Sequence, residues 1–143
     1  VIELGGAEVP SIVVTLRLGE RRVRLLGTHP VPPGTPASSW ARNDQLRAIA
    51  EWSRRQSGPV IVLGDLNATP WSPHIATLLS EGGLKLSRPS WGVAASWPTQ
   101  FPAGLRIPLD HCLTSTGLVV TRYETGEPVG SDHLPLRVDV VVP

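Results

Sequence analysis

Hydrophobic and polar positions alternate in two neighbouring segments near the start of the chain. Residues 11–18 are rich in β-branched side chains, Gly19 and Glu20 supply turn residues, and the alternation resumes over residues 21–27. Two alternating runs around a short turn predict a β-hairpin. Residues 30–36 follow with four prolines, and because proline fixes φ and lacks a backbone donor, this segment is predicted to be a loop.

A helical pattern follows the proline loop. The apolar and small positions that recur at the spacing of one helix face are Leu46, Ile49, Ala50 and Ser53. The arginines of this segment, Arg42 among them, are assigned mostly to other faces. Ser38 or Ser39 is the expected N-cap, and the helix is expected to end near residue 56. Residues 59–63 are continuously apolar, which is typical of a strand buried on both faces, so a layered α/β domain is indicated.

The second half of the chain predicts one helix and three strands. Residues 72–80 form a short amphipathic pattern that ends at Gly82 and Gly83, whereas residues 84–96 are weakly patterned. Three segments have the character of strands: residues 107–114, 118–123 and 134–142. No repeat or linker divides the pattern, so one domain is expected over residues 1–143.

Composition narrows the class of protein. The apolar fraction of 41% and charged fraction of 17% are ordinary for a soluble globular chain, and the net charge of +1 provides no bulk basic field for nucleic acid. Cys112 is the only cysteine, which excludes an intrachain disulfide and thiolate metal sites. No segment has the length of a membrane span. The sequence contains no Met, so we expect a fragment or a processed form.

Asp, Asn and His are scarce, and most of them fall in four short clusters beside apolar runs. The clusters are Thr28-His29, Gly64-Asp65-Leu66-Asn67, Asp110-His111 and Ser131-Asp132-His133. Strand ends on a rigid scaffold can aim such side chains into one cleft. One shared site explains four clusters better than four coincidences do.

Each cluster has a functional and a structural interpretation. Asp65 and Asn67 are two apart and can point the same way, which suits Mg²⁺ or Mn²⁺, although Gly, Asp and Asn also favour plain turns. Asp132 and His133 can serve a metal ion and a proton transfer, or can be a capping Asp beside a surface His.

The other two clusters are more ambiguous. Alternation along a strand sends Asp110 and His111 to opposite faces, so we assign Asp110 to the cleft and His111 to a structural role. His29 ends a strand before the proline loop and, taken alone, also suits a structural role. Taken together, carboxylates, imidazoles and a divalent ion could activate water and stabilise charge on a phosphoryl group.

The order and context of these motifs resemble the endonuclease/exonuclease/phosphatase superfamily. The segments that carry the resemblance are Val60-Ile61-Val62-Leu63-Gly64-Asp65-Leu66-Asn67, Ile107-Pro108-Leu109-Asp110-His111 and Gly130-Ser131-Asp132-His133-Leu134-Pro135. The resemblance implies part of a four-layer α/β/β/α sandwich of the deoxyribonuclease-like type, in its C-terminal portion, with the first-half strands largely missing. Thr28-His29-Pro30 and Trp71-Ser72-Pro73 look most like a bacterial membrane-associated branch, which implies a membrane anchor upstream of this chain.

The resemblance also implies roles for particular residues. His29 would contact the scissile phosphate, and Asp110 would support the same region. Asp65 and Asn67 would orient the nucleophilic water or the leaving group and hold the metal ion. Asp132 would bind metal or orient His133, the general base or phosphate-stabilising imidazole. Three further residues are candidate substrate contacts: Arg106, Trp71 and Trp97, where an exposed strand charge is the alternative for Arg106 and a core or loop anchor for the tryptophans.

One family feature is missing from the sequence. The family's first half normally supplies a metal-binding Glu in a Gln-Glu context, and no Gln-Glu pair occurs here. We therefore expect impaired hydrolysis by this chain alone. Half a sandwich would also expose an apolar sheet face, so a homodimer or a missing partner segment is expected.

The predicted function is a divalent-metal-dependent phosphoester hydrolase: a phosphodiesterase, nuclease or phosphatase. Its substrate class is open among nucleic acid, phospholipid head groups and small phosphoesters. The alternative is a non-catalytic binding or scaffold module that keeps the same fold. A serine hydrolase is disfavoured because no Gly-x-Ser-x-Gly elbow occurs.

Overall fold

A computed structural model of the chain describes residues 1–6, 9–87 and 94–143. The strands within those residues are β1 Ile2–Glu3, β2 Pro10–Leu18, β3 Arg21–Gly27, β4 Val60–Asp65, β5 Leu84–Leu86, β6 Asp110–Ser115, β7 Val119–Thr125 and β8 Leu136–Val141. The helices are α1 Pro36–Arg54 and α2 Pro73–Gly82, with a 3-10 turn at Ala103–Leu105. Much of the weakly patterned segment 84–96 lies outside the described residues.

Six strands form one sheet in the order β1-β2-β3-β4-β6-β5. β3 and β4 run parallel and are connected through α1, because parallel strands need a long crossover. Their carboxyl ends therefore meet at one edge of the sheet, where His29 and Asp65 are found. β6 runs antiparallel to β4, so its first residue, Asp110, pairs with Asp65 at this same edge. The topology thus brings three of the four polar clusters together.

Helix α1 begins earlier than the sequence predicts. Its N-cap is Thr35, whose side chain accepts a hydrogen bond from the backbone N–H of Ser38, and Pro36 occupies the first turn. The predicted caps Ser38 and Ser39 are wrong, because Ser38 is the third helical residue and completes a capping box with Thr35. Proline suits the first helical position because its missing N–H would have no partner there.

One face of the sheet packs against both helices. The buried side chains of this core include Leu26, Leu46, Ile49, Ala50, Val60, Val62, Ile75, Leu78 and Leu113. Helix α2 is capped by Ser72 and ends at Gly83, whose positive φ of 64° suits glycine. The predicted helix stripe and the predicted stop of α2 are confirmed.

The other face packs against the antiparallel pair β7–β8. Its buried residues are Val23, Ile61, Cys112 and Leu118, with partly buried Leu25, Tyr123, Leu136, Val138, Val140 and Val142 against them. The described residues therefore form helix, sheet and sheet layers, which confirms an α/β fold. The described residues thus supply three layers of the predicted four-layer α/β/β/α sandwich, and a second helical layer would complete it.

The pair β7–β8 leaves part of this face uncovered. Along β2 an apolar row is exposed, with Ile12, Val14, Leu16 and Leu18 at 57%, 40%, 36% and 51%. Val14 and Leu16 pair with Leu25 and Val23, so the row continues the inter-sheet face. The expected exposed apolar face is present, and its coverage by a second copy or another segment stays a prediction. Neither described helix combines the length and apolarity needed to cross a membrane.

Two strands escaped prediction, and β6 begins three residues later than expected. β1 and β5 have two and three residues, too few for a periodic signal. The strand predicted from residue 107 begins at Asp110, because Pro108 lacks the N–H that a ladder needs. Ile107 instead forms an isolated bridge with Trp97.

Candidate active site

The ends of β4 and β6 place two carboxylates side by side. Asp65 and Asp110 are paired residues of the antiparallel ladder, and the backbone N–H of Leu66 donates to Leu109 O at 3.0 Å just beyond them. Like charges in such a pair repel each other unless cations or protons lie between them. The site therefore needs positively charged or proton-donating partners.

His133 is one such partner. Its Nδ1 lies 2.8 Å from Oδ2 of Asp110, and its Nε2 lies 3.7 Å from Oδ2 of Asp65. The hydroxyl of Ser96, a fully buried residue, donates to the same Asp110 oxygen. On the other side, Nδ1 of His29 lies 3.6 Å from Oδ2 of Asp65. Two imidazoles thus flank one carboxylate, and one of them is oriented by a second carboxylate.

Asn67 sits in a tight turn after Asp65. Its backbone is in the left-handed region at a φ of 49°, which Asn tolerates better than most residues. Its backbone N–H donates to Oδ1 of Asp65 at 2.8 Å, and its side-chain amide donates to Pro30 O at 2.9 Å. The turn is therefore tied both to β4 and to the loop that follows His29.

Asp132 lies beside His133 and is held by Trp97. The indole N–H of Trp97 donates to Oδ2 of Asp132 at 3.2 Å, and the backbone N–H of Thr99 donates to Asp132 O at 2.9 Å. The ring centroids of Trp97 and His133 are 6.3 Å apart. These contacts join the loop after residue 96 to the loop before β8.

A cleft of about 900 Å³ opens over these groups. Seven of the nine residues predicted to form the site line it: His29, Asp65, Asn67, Trp97, Asp110, Asp132 and His133. Arg106 and Trp71 do not. Arg106 donates to Phe101 O and Thr99 O at 2.8 and 3.0 Å, and Trp71 is 65% exposed on the surface, so substrate contact by either stays a prediction.

His111 points away from the cleft, as strand alternation predicts. It is 2% exposed, and its Nε2 lies 2.7 Å from Ala68 O. These contacts agree with the predicted structural role, and the choice of Asp110 over His111 for the cleft agrees with the geometry.

The sequence analysis missed both Ser96 and Arg42, which contact predicted site residues. Ser96 fixes Asp110 and carries no motif that could have pointed to it. Arg42 lines the cleft and donates to Asn67 O, so its assignment to a helix face away from the buried stripe is wrong. Its position four residues before Leu46 was an available signal, because that spacing continues the buried stripe.

The pKa values of His133 and Asp65 are both raised, but for different reasons. Burial alone would lower the pKa of His133, but the hydrogen bond and charge of Asp110, with the charges of Asp65 and Asp132, outweigh burial and raise this pKa above 6.5. Burial is the main cause that raises the pKa of Asp65, and the charge of Asp110 adds to it. The hydrogen bond from Asn67 and the charges of His133 and His29 act in the opposite direction.

We expect an NMR titration to place the pKa of His133 above its ordinary value of 6.5 and Asp110→Asn to lower it. Folding then favours the protonated ring. The resulting stabilisation is present below the unfolded pKa and is lost as the pH rises through the folded pKa. Asp44→Asn, a change outside the cleft, is the control and should leave the value unchanged. A pKa of His133 below 6.5 in the wild type would contradict the contact between His133 and Asp110.

The donor set fits a metal ion only in part. Among residues 1–6, 9–87 and 94–143, no group of three or more His, Cys, Asp and Glu side chains is arranged to hold one. Asp65 and Asp132 already accept hydrogen bonds from Asn67 and Trp97. The predicted ligands Asp65, Asn67 and Asp132 therefore do not form a closed ligand set, and metal binding by them stays a prediction.

Known proteins share both the sequence pattern and the fold. The Endonuclease/Exonuclease/phosphatase family pattern matches residues 2–133. UPF0294 protein VP2298 of Vibrio parahaemolyticus is 31% identical over 94 residues, which are 66% of this chain and 32% of that protein. The chain thus covers about a third of this curated relative.

Two solved structures illustrate the shared fold. The human Nocturnin catalytic domain is 22% identical, with a TM-score of 0.70 over 93% of this chain and 53% of that one. A beta toxin from Staphylococcus aureus with bound magnesium ions is 17% identical, with a TM-score of 0.62 over 91% and 57%. At these identities the likeness shows the fold, and the chain spans about half of each structure.

Proposed function

Because the chain belongs to the Endonuclease/Exonuclease/phosphatase family, we propose that it is a phosphoester hydrolase that depends on Mg²⁺ or Mn²⁺. The observation that carries this proposal is the chain of contacts Asp110–His133–Asp65–His29 in one cleft. An imidazole oriented by a carboxylate is the arrangement that general base catalysis needs.

The geometry supports a direct role for His133. Asp110 binds Nδ1 and so leaves Nε2 directed towards Asp65 and the cleft. With the ring neutral, Nε2 can take a proton from water as the water oxygen forms its bond to phosphorus. The ester P–O bond then breaks, and the departing oxygen takes a proton, for which the exposed His29 is the proposed donor. Because the pKa of His133 is raised, the hydrolysis rate should increase with pH as the ring loses its proton.

The metal ion enters the proposal from the family and from relatives. The similar beta toxin carries bound magnesium ions, and Asp65, Asn67 and Asp132 supply the oxygen donors that Mg²⁺ or Mn²⁺ prefers. These donors would hold the ion without a closed protein ligand set, because Mg²⁺ usually keeps several waters in its coordination shell. Impaired turnover by this chain alone is also part of the proposal, because the sequence lacks the Gln-Glu pair that would supply the family's metal-binding Glu.

Placement within the family is also proposed. The motifs at Asp65, Asp110 and Asp132 all lie on the described half-sandwich, which supports the C-terminal portion of the family domain. Assignment to a bacterial membrane-associated branch, with an anchor outside this chain, is supported only by the resemblance around His29 and Trp71. The proposed substrate is a phosphoester, with nucleic acid, lipid head groups and small molecules as the candidate classes.

The test is hydrolysis of bis(p-nitrophenyl) phosphate and p-nitrophenyl phosphate by the full chain with Mn²⁺. We expect slow turnover that is lost with a chelator and in Asp65→Asn, because Asp65 joins both imidazoles. Asp44→Asn is the matched control and should keep the wild-type rate.

Each contrary outcome has a definite meaning. Turnover that resists the chelator would contradict metal dependence. Turnover that survives in Asp65→Asn would contradict the assigned cleft. No turnover of either ester would favour the non-catalytic binding or scaffold module for this chain.

A further inference from the structure

Arg42 is a half-buried cation in the N-terminal half of α1, and it lines the cleft. It lies four and seven residues before Leu46 and Ile49, whose buried side chains define the inner face of the helix. The helix geometry therefore extends this inner face to Arg42, one turn nearer the cleft. Arg47 on the same helix is exposed to solvent, so partial burial is not shared by every arginine of α1.

Arg42 holds the turn that follows Asp65. Its Nη1 donates to Asn67 O, and its Nε donates to Oδ1 of Asn43 at 2.9 Å. The Asn67 turn is then fixed by Asp65 at its N–H, by Pro30 at its side chain and by Arg42 at its carbonyl. Because Asn67 has a positive φ, an external contact that fixes its carbonyl stabilises an otherwise unfavourable backbone.

The hydrogen bonds of Arg42 leave most of its donors unused. A guanidinium has five N–H groups and stays charged in proteins. Two are used in the described contacts, and none of the ion pairs of the described residues includes Arg42. A half-buried cation without a carboxylate partner bears a desolvation cost that an anion in the cleft would offset.

The carboxylates of the cleft make this charge favourable for an anionic ligand. Asp65, Asp110 and Asp132 line the cleft and repel a phosphate group. Of the lining residues in the described part of the chain, Arg42 is the only Arg or Lys. Arg42 lines the cleft on the same side as Asn67 and the proline loop. The planar guanidinium can donate two parallel hydrogen bonds to phosphate oxygens.

We propose that Arg42 is a substrate-binding residue that recognises a non-bridging phosphate oxygen while its Nη1 holds the Asn67 carbonyl. This inference rests on the proposed function, because it concerns the same cleft. It adds a recognition element for the phosphoryl group on the α1 side of the cleft.

Binding of inorganic phosphate to the full chain, measured by titration calorimetry without turnover, tests this role. We expect Arg42→Gln to weaken binding by roughly tenfold or more, because a charge-assisted hydrogen bond is lost. Arg42→Lys keeps the charge but cannot serve the carbonyl and the ligand together, so a smaller loss is expected. Arg47→Gln is the matched control on the same helix and should bind as the wild type does.

Thermal unfolding accompanies each titration, so that loss of fold is recognised. If Arg42→Gln does not fold, Arg42→Lys decides, and wild-type phosphate affinity in a folded Arg42→Lys would then overturn the inference. Wild-type affinity in a folded Arg42→Gln, or no phosphate binding by the wild type, would also overturn it. Phosphate binding that depends on Arg42 without any ester hydrolysis would uphold the inference and contradict the proposed function. Ester hydrolysis together with phosphate binding that does not depend on Arg42 would uphold the proposed function and overturn the inference.

Discussion

Replacing Gly64 by alanine should destabilise the chain by about 3 kcal/mol or more, the largest effect on stability that we expect. Gly64 has a φ of 141°, a conformation that L-residues rarely adopt. A Cβ at this position would lie 1.9 Å from the Thr28 carbonyl oxygen, far inside van der Waals contact. Backbone has to move before alanine fits, because the contact is with a main-chain atom rather than a flexible side chain.

Urea unfolding of Gly64→Ala measures this effect. Gly19→Ala is the matched control, since Gly19 also has a positive φ, of 65°, but a Cβ there meets nothing within 4 Å. Gly19→Ala should lower the free energy of unfolding by about 1 kcal/mol, through backbone strain alone. Similar losses in the two variants would show that the close approach to Thr28 contributes nothing.

The same contact links stability to the site. Gly64 immediately precedes Asp65, and Thr28 immediately precedes His29, so the close approach sets the spacing of two cleft residues. Nδ1 of His29 and Oδ2 of Asp65 are 3.6 Å apart across this junction. Any backbone shift that admits a Cβ at Gly64 therefore also separates His29 from Asp65, and activity should fall in whatever fraction of Gly64→Ala remains folded.

Strand periodicity predicted much of the candidate site. Alternation along β6 correctly separated Asp110, which lines the cleft, from His111, which contacts Ala68 O. The apolar run before Asp65 correctly indicated a central strand, in which Val60, Ile61 and Val62 are buried and Leu63 is exposed. These signals are reliable because a buried strand has a fixed two-residue period and polar residues there are costly without partners.

Contacts between distant segments could not be predicted in this way. Ser96 and Asp110 meet because the segment before Trp97 packs against the start of β6, and the two residues share no motif. The capping role of Thr35 was hidden by two serines that satisfy the same local rule. Arg42 was misplaced because a cation on a buried stripe conflicts with hydrophobic patterning, and such conflicts are most common at functional sites.

Changing His133 to alanine should reduce phosphoester hydrolysis by about 10²- to 10⁴-fold, the range typical for a general base. His133 contacts Asp110 through Nδ1 and faces Asp65 through Nε2, so its loss breaks the contact chain at its centre. The fold should persist, because His133 belongs to neither of the two hydrophobic clusters that form the core of the described residues. The measurement is kcat on bis(p-nitrophenyl) phosphate, with thermal unfolding in parallel.

The control for this change is His74→Ala, which removes an imidazole from α2 outside the residues that line the cleft. It should retain wild-type turnover. Asp110→Asn provides a second comparison, because the amide keeps a hydrogen bond to the ring but removes the charge that raises the pKa of His133. If His133 is the base, the rise of the rate with pH should then shift to lower pH in Asp110→Asn and vanish in His133→Ala. An unchanged pH profile in both variants would assign proton transfer to a different group, and His29 would be the next to test.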